Sequence, residues 1–198
     1  MACRDERSMN QLLLATVKII MVTGGLFGVV ALALSLAHVS QAAPHAGYWA
    51  VCPANKWTVD YCDYGTIQEA IDAAAPGDII RVVGPAVYTE NLTIDQDLTL
   101  LGGCNNYACT VQAPGVLATT IDGDGQGRGV TIVGTAGSPI SVTVDGFVIT
   151  GGDASGEPER YGGGMYSLYA DLILTRNIIT ANVAATSGNG YGGGVYAI

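Results

Sequence analysis

The residues Asp122-Gly123-Asp124-Gly125-Gln126-Gly127 set two carboxylates two positions apart among glycines. Such a pair could share a Ca²⁺ ion, which gathers many oxygen ligands. The EF-hand pattern is not met, because Gln126 stands at the third acidic position and Val133 at the closing glutamate. The same residues also suit a strand-to-strand turn, whose tight backbone Asp and Gly tolerate, and the turn is the preferred reading. A second acidic set is Asp145, Asp153, Glu157, Glu159 and Asp171. Two of these could act as acid and base in glycoside hydrolysis, or hold Ca²⁺ for a lyase. A β-eliminating site also needs a base, yet in this region only Arg128, Arg160 and Arg176 bring cationic groups, and no Lys follows Lys56. A solvated acidic surface is the simpler account.

Tyr161, Tyr166, Tyr169, Tyr191 and Tyr196 form the third group. Recurring at one position of a repeat, they would make an aromatic ladder. Exposed, it would stack on sugar rings; buried, it would hold turns together. The fourth group is Cys52, Cys62, Cys104 and Cys109, with Cys3 near the start. An even number of cysteines in an exported domain reads as disulfides. Three pairings exist, of which the local ones, Cys52–Cys62 and Cys104–Cys109, are favoured. The cysteines lack the two-residue spacing of a zinc site, and His38 and His45 are the only histidines. No cofactor is expected, Ca²⁺ at Asp122 and Asp124 being the one candidate.

These groups need a scaffold, and the end of the chain shows its period. Tyr161-Gly162-Gly163-Gly164-Met165-Tyr166 returns as Tyr191-Gly192-Gly193-Gly194-Val195-Tyr196, and Val148-Ile149-Thr150 as Ile178-Ile179-Thr180. Both offsets are 30 residues. A fixed period built from short apolar strands and Gly-rich turns marks a solenoid, in which each repeat buries its apolar face against the next. Short Val/Ile/Thr-rich strands are expected at 79–83, 92–94, 98–101, 119–121, 130–133, 140–144, 147–149, 172–174 and 177–179. Alternation over 140–144 puts Ile140, Val142 and Val144 on one side. Asn177 and Asn182 are expected to stack with further Asn residues of later repeats, a structural role. Asn91-Leu92-Thr93 has the form of an N-glycosylation site.

One short helix precedes the strands. Ile67, Ala70, Ile71 and Ala74 share a face. Thr66 and Glu69 fit a capping box, and Pro76-Gly77 ends the helix. Its expected role is to cover the first end of the solenoid, whose strand edges would otherwise pair with other chains. Residues 43–64 read as irregular. At the other end, Ala197-Ile198 falls inside an expected strand, which predicts that the chain is a fragment or that Ile198 abuts another subunit.

Arg4, Arg7 and Lys18 precede an uncharged run at 19–37 and the small-x-small triplet Ser40-Gln41-Ala42. Residues 1–42 thus read as a signal peptide cut after Ala42. The run is also long enough to span a bilayer, so an uncleaved anchor is the alternative, and then the membrane is a partner through this segment only. Both readings place residues 43 onward outside the cytoplasm. The formal net charge of −9 argues against nucleic acid, which binds Lys and Arg. At 49% hydrophobic the chain is too apolar for disorder.

The run Thr66-Ile67-Gln68-Glu69-Ala70-Ile71-Asp72-Ala73-Ala74-Ala75-Pro76-Gly77-Asp78, with Ile79-Ile80-Arg81-Val82 and Tyr88-Thr89-Glu90-Asn91-Leu92-Thr93-Ile94, resembles the opening of right-handed parallel β-helix proteins of the pectin-lyase-like superfamily. Asp145-Gly146-Phe147-Val148-Ile149-Thr150-Gly151-Gly152 and both Tyr-Gly-Gly-Gly segments are similar to its rung repeats. The resemblance covers about 65–198 and implies an all-β fold: a right-handed parallel β-helix with a short N-terminal capping helix, preceded by the signal or anchor helix. That superfamily includes pectate lyases, polygalacturonases, pectin methylesterases and surface proteins without known activity. The opening is especially similar to the methylesterases, but their later catalytic motifs have no match here, since Gly146-Phe147 continues as Val148-Ile149-Thr150. No catalytic residue carries over.

The expected organisation is thus 1–42 leader or anchor, 43–64 Cys-containing segment and 65–198 parallel β-helix. The expected function is a secreted or cell-surface scaffold without catalysis. Polysaccharide or a surface protein would be the partner, and Tyr161, Tyr166, Tyr191 and Tyr196 the candidate ligand-binding residues. The rival is the first part of a lyase-, hydrolase- or methylesterase-like enzyme acting beyond residue 198. A membrane-anchored periplasmic β-helix that handles a small ligand or metal is a third reading.

Overall fold

The structure, a computed structural model, describes residues 47–53 and 62–198 of the 198-residue chain. The expected leader or anchor at 1–42, including 19–37, lies outside the described residues, as do His38, His45 and Lys56. Among the described residues no helix is long and apolar enough to cross a membrane.

The fold is mostly β, with one short helix. Strand β1 is Tyr48–Val51 and the helix α1 is Ile67–Ala73. Then follow β2 (Asp78–Val83), β3 (Ala86–Thr89), β4 (Leu92–Ile94), β5 (Leu98–Cys104), β6 (Thr119–Asp122) and β7 (Val130–Val133). The last are β8 (Ile140–Asp145), β9 (Phe147–Thr150), β10 (Met165–Leu168), β11 (Ala170–Thr175), β12 (Ile178–Ile179) and β13 (Val195–Ala197). They form three sheets, ordered β1-β2-β5-β8-β11 (sheet A), β3-β6-β9-β12 (sheet B) and β4-β7-β10-β13 (sheet C). Every pairing between these strands is parallel. From β2 onward, consecutive strands visit sheets A, B and C in strict rotation.

The sequence repeat is a spatial register. Val148 faces Ile178, Ala170 faces Ile140, and Met165 faces Val195. Residues 30 apart in sequence therefore sit one strand apart in the same sheet. All nine expected strands form where expected, 92–94 and 130–133 with the expected ends and the others with ends that differ by one to three residues. Four further strands form. Segment 43–64, read as irregular, contributes β1, which pairs with β2 in register Tyr48↔Ile79. Strand β3 also forms, with only Tyr88 of Val87 and Tyr88 turned inward. The two Met/Val-Tyr segments after the glycine runs are strands β10 and β13, and β13 reaches Ala197, within the strand expected at the end of the sequence.

The core lies between the three sheets. Period-2 alternation sends Ile80, Leu100 and Val142 inward from sheet A, Ile121 and Ile149 from sheet B, and Ile132 from sheet C. Each such side chain contributes about 1.5–3 kcal/mol relative to an exposed one. The alternation expected at 140–144 holds: Val142 and Val144 are buried, Ile140 packs against the core, and Ser141 is exposed. One inward position is polar. Ser167 of β10 is buried, and its hydroxyl has no hydrogen-bond partner. It stands in register between Ile132 and Ala197. An orphaned buried hydroxyl costs about 1–3 kcal/mol, so Ser167→Ala is expected to raise the melting temperature.

Helix α1 covers the first end through Ile67, Ala70 and Ile71, all buried. The expected capping residue is in place: Glu69 N–H donates to Thr66 Oγ1 at 3.3 Å. The rest of the cap is long-range rather than the local box. Ile67 and Gln68 N–H both donate to the Glu90 carboxylate at 2.9 Å. A carboxylate suits this helix end, where unpaired N–H groups and the dipole converge. Gln68 then acts as a one-residue strand beside β4, the edge of sheet C. Its Oε1 accepts from Thr93 N–H at 2.8 Å, and its Nε2 donates to Thr93 O at 3.2 Å. A side-chain amide thus closes an edge that would otherwise be open to another chain. The buried Asp78 carboxylate ties the same end together, accepting from Ala75 N–H and Trp49 Nε1.

Candidate functional site

Two corners of the winding differ in the length of their connections. Sheet A passes to sheet B through short connections, apart from the insertion at 105–118. Sheet B passes to sheet C through connections that lengthen along the chain, from 90–91 to 123–129, 151–164 and 180–194. The candidate site lies in these B-to-C loops.

The loops stack because their glycine runs pair like strands. Gly162 N–H donates to Tyr191 O at 3.0 Å, Gly164 N–H to Gly193 O at 2.9 Å, and Met165 N–H to Gly194 O at 2.8 Å. Gly162 and Gly192 share a φ of +63°. This left-handed conformation is one that a residue without Cβ adopts at little cost. At Gly163 a Cβ would run into the backbone of Val183. The glycines therefore permit the close approach that sets Tyr161 beside Tyr191 and Tyr166 beside Tyr196.

The tyrosines form the ladder that their spacing implies. The Tyr161 ring meets Tyr191 edge-on at 5.3 Å between centroids and stacks on Tyr196 at 4.5 Å. Tyr166 stacks with Tyr196 at 6.0 Å. The members differ in exposure: Tyr166 is 8% exposed and Tyr191 55%. Burial, with the Glu159 charge, pushes the Tyr166 hydroxyl above its ordinary pKa, and Arg128 partly opposes this. Tyr166 thus serves as internal packing, while Tyr191 offers a ring to solvent. Tyr169 stands apart from the ladder, between β10 and β11.

Arg128 joins the ladder to the loops. It is 8% exposed, with its guanidinium 4.3 Å above the Tyr166 ring. Nε donates to Tyr161 O at 2.9 Å, one terminal nitrogen to Glu159 O at 2.6 Å, and the other to Glu157 Oε2 at 3.2 Å. A planar fork of donors suits several acceptors at fixed angles. Outside this bracket lies an open cleft of about 500 Å³ lined by Pro158, Glu159, Arg160, Tyr161, Asn189 and Tyr191. Arg160, in the cleft lining, donates to Ser187 O at 2.6 Å.

The remaining acidic residues do not assemble into a reacting pair. Asp145 accepts from Arg176 at 2.9 Å and 2.5 Å at the A-to-B corner, and this pairing raises the Arg176 pKa. Arg176 also donates to Gln112 Oε1. Asp153 accepts from Ser155 N–H at 2.7 Å, and Ser155 holds its carboxyl below the ordinary value. Asp171 is exposed on β11. Asp122 Oδ1 accepts from Asp124 N–H at 3.0 Å, which closes an Asx turn with Asp124 at φ +50°. Among the described residues no three acidic, His or Cys groups gather as a metal cluster, at Asp122 and Asp124 or elsewhere.

The asparagines hold corners. Asn177 accepts from Phe147 N–H at 2.9 Å and donates to Val144 O at 2.7 Å. Asn182 does the same for Gly152 N–H and Ile149 O. The amide nitrogen of Asn91, the glycosylation candidate, donates to Gly123 O and Arg128 O. The cysteines pair locally, Cys52–Cys62 and Cys104–Cys109, and Cys52, Val83 and Cys104 cluster in the interior at the end of sheet A. Two disulfides suit an oxidising, extracellular environment.

Sequence reasoning missed the bracket around Arg128 and the place of Pro158 and Asn189 in the cleft. Arg128 acts on residues about 30 positions away, and its only local signal is a cation beside a glycine turn. No family model matches this chain, and no curated protein matches it.

Proposed function

We propose that this chain is an extracellular scaffold, a right-handed parallel β-helix of the pectin-lyase-like kind, that binds polysaccharide through the B-to-C cleft and catalyses nothing itself. The rotation of parallel strands through three sheets supports the β-helix reading. The right hand follows from the strong bias of parallel crossovers. The disulfides support export, as expected from the leader at 1–42.

The observation that carries the binding role is the pairing of the exposed Tyr191 ring with Tyr161 in a cleft also lined by Glu159, Arg160 and Asn189. A sugar ring presents an apolar face of C–H groups and a rim of hydroxyls. The tyrosine ring matches the face, and the carboxylate, guanidinium and amide match the rim. The mixed signs of Glu159 and Arg160 favour neutral sugars over strongly charged ones.

The test is co-sedimentation of the purified protein with insoluble neutral and acidic polysaccharides, alongside Tyr191→Ala and a reducing-end assay. Retention that Tyr191→Ala abolishes, with no new reducing ends, is the expected result. Release of sugar fragments would replace the scaffold reading with an enzyme. Equal retention of the parent and Tyr191→Ala would remove the cleft from the binding role.

A further inference from the structure

We infer that Asn189 is a site of spontaneous deamidation, a chemical modification that places a negative charge in the cleft. Six asparagines lie among the described residues, and five have their side-chain amides bound. Asn91, Asn177 and Asn182 hold backbone groups of neighbouring turns. Asn105 and Asn106 are tied to Thr110. Asn189 is the sixth, exposed in the 180–194 loop, and none of the hydrogen bonds of the described residues involves its side chain.

The following residue separates it further. The bound asparagines precede Leu92, Asn106, Tyr107, Ile178 and Val183, whereas Asn189 precedes Gly190. A side chain on the following residue shields the backbone nitrogen and restricts its rotation, and glycine does neither. Gly190 is also exposed, and its N–H is absent from the ladder that binds Tyr191 N–H to Arg160 O.

The reaction needs only water. The Gly190 nitrogen attacks Asn189 Cγ, forming a C–N bond. The Cγ–Nδ2 bond breaks, and Nδ2 leaves as ammonia with the proton from the Gly190 nitrogen. A five-membered succinimide remains. Water then adds to one of its two carbonyls, and ring opening yields aspartate or isoaspartate. Nothing is oxidised or reduced.

Either product sets a carboxylate in the same cleft as Glu159, where like charges repel. Isoaspartate also lengthens the backbone two residues before Tyr191. The modification would therefore weaken saccharide binding with age. That consequence rests on the proposed function, while the hydrolysis does not.

The experiment ages the folded protein in ¹⁸O-water at mildly alkaline pH, then maps peptides by mass and assays isoaspartate enzymatically. A parallel sample is Asn189→Gln, which keeps an amide but cyclises poorly. The expected result is ¹⁸O and isoaspartate concentrated at position 189, with the isoaspartate signal lost in Asn189→Gln. An intact Asn189 in the aged folded protein, or label spread evenly over the six asparagines, overturns the inference. Asn189→Asp is expected to lose retention on any polysaccharide that the parent binds; equal retention overturns the effect on the cleft. If the parent binds no polysaccharide, the proposed function fails and the peptide map still decides the hydrolysis.

Discussion

The A-to-B and B-to-C corners solve one problem in opposite ways. Apart from the insertion at 105–118, the A-to-B corner turns within a few residues, at Gly84-Pro85, Gly146 and Arg176. Its polar groups are consumed by the backbone: Asn177 bridges Val144 and Phe147, and the Tyr88 hydroxyl donates to Val83 O at 3.2 Å. At the B-to-C corner the loops grow long, and their side chains reach each other and solvent. A short corner has few polar side chains to spare, because most of them satisfy peptides, and Asp145 and Arg176 pair with each other. A long corner has side chains to spare once its glycine ladder has satisfied the backbone. The cleft therefore arises where the winding is least economical.

Breaking the bracket of the long corner should have the largest effect. Arg128→Ala leaves Glu157 and Tyr161 O without their Arg128 donor, while Glu159 O keeps Tyr161 N–H, and truncating a buried ion pair costs about 3–5 kcal/mol. Glu157 is about one-third exposed, so the low end is expected, measured as a shift in the urea midpoint. Arg128→Lys should recover little, since one ammonium cannot replace the fork.

Next is the short corner. Asn177→Ala removes the side-chain acceptor of Phe147 N–H and one donor to Val144 O, at about 1–3 kcal/mol for a group left unpaired away from water. A loss equal to that of an exposed substitution would mean that the corner is not sealed, and the contrast would weaken.

Alkaline titration gives a smaller effect. Burial, and then the Glu90 charge, push the Tyr88 pKa above its ordinary 10.0. Above pH 10.0 the unfolded chain releases this proton while the folded chain keeps it. The stabilisation is therefore complete below that pH and is lost as pH rises beyond it. Tyr88→Phe should flatten the alkaline fall in stability while losing about 1 kcal/mol at neutral pH.

The smallest stability change is expected at the cleft. Tyr191→Ala removes an exposed ring, so its melting temperature should shift little. A large shift would make the ladder structural throughout and erase the difference between Tyr166 and Tyr191.

Features that depend on near neighbours were legible in the order of residues. Alternation at β4, β7 and β8 and the spacing of Ile67, Ala70 and Ile71 are local, and each follows from whether successive side chains find the core or water. The 30-residue repeat likewise set Tyr161 opposite Tyr191 and Tyr166 opposite Tyr196, but it foretold neither the Tyr161–Tyr196 stack nor the separation of Tyr169. The sequence did not disclose β1, whose Tyr48–Val51 lies among Pro, Trp and Cys without alternation and is a strand because β2 accepts its edge. It left the disulfide pairing open between three alternatives, and it offered a local capping box where Glu90 closes the helix. Only the tertiary structure separated Tyr166 from Tyr191 and assembled the cleft. Exposure and the partners of Arg128, Gln68 and Glu90 depend on how far one turn lies from the next. That distance is set by backbone hydrogen bonds between residues some 20–40 positions apart, which no local pattern encodes.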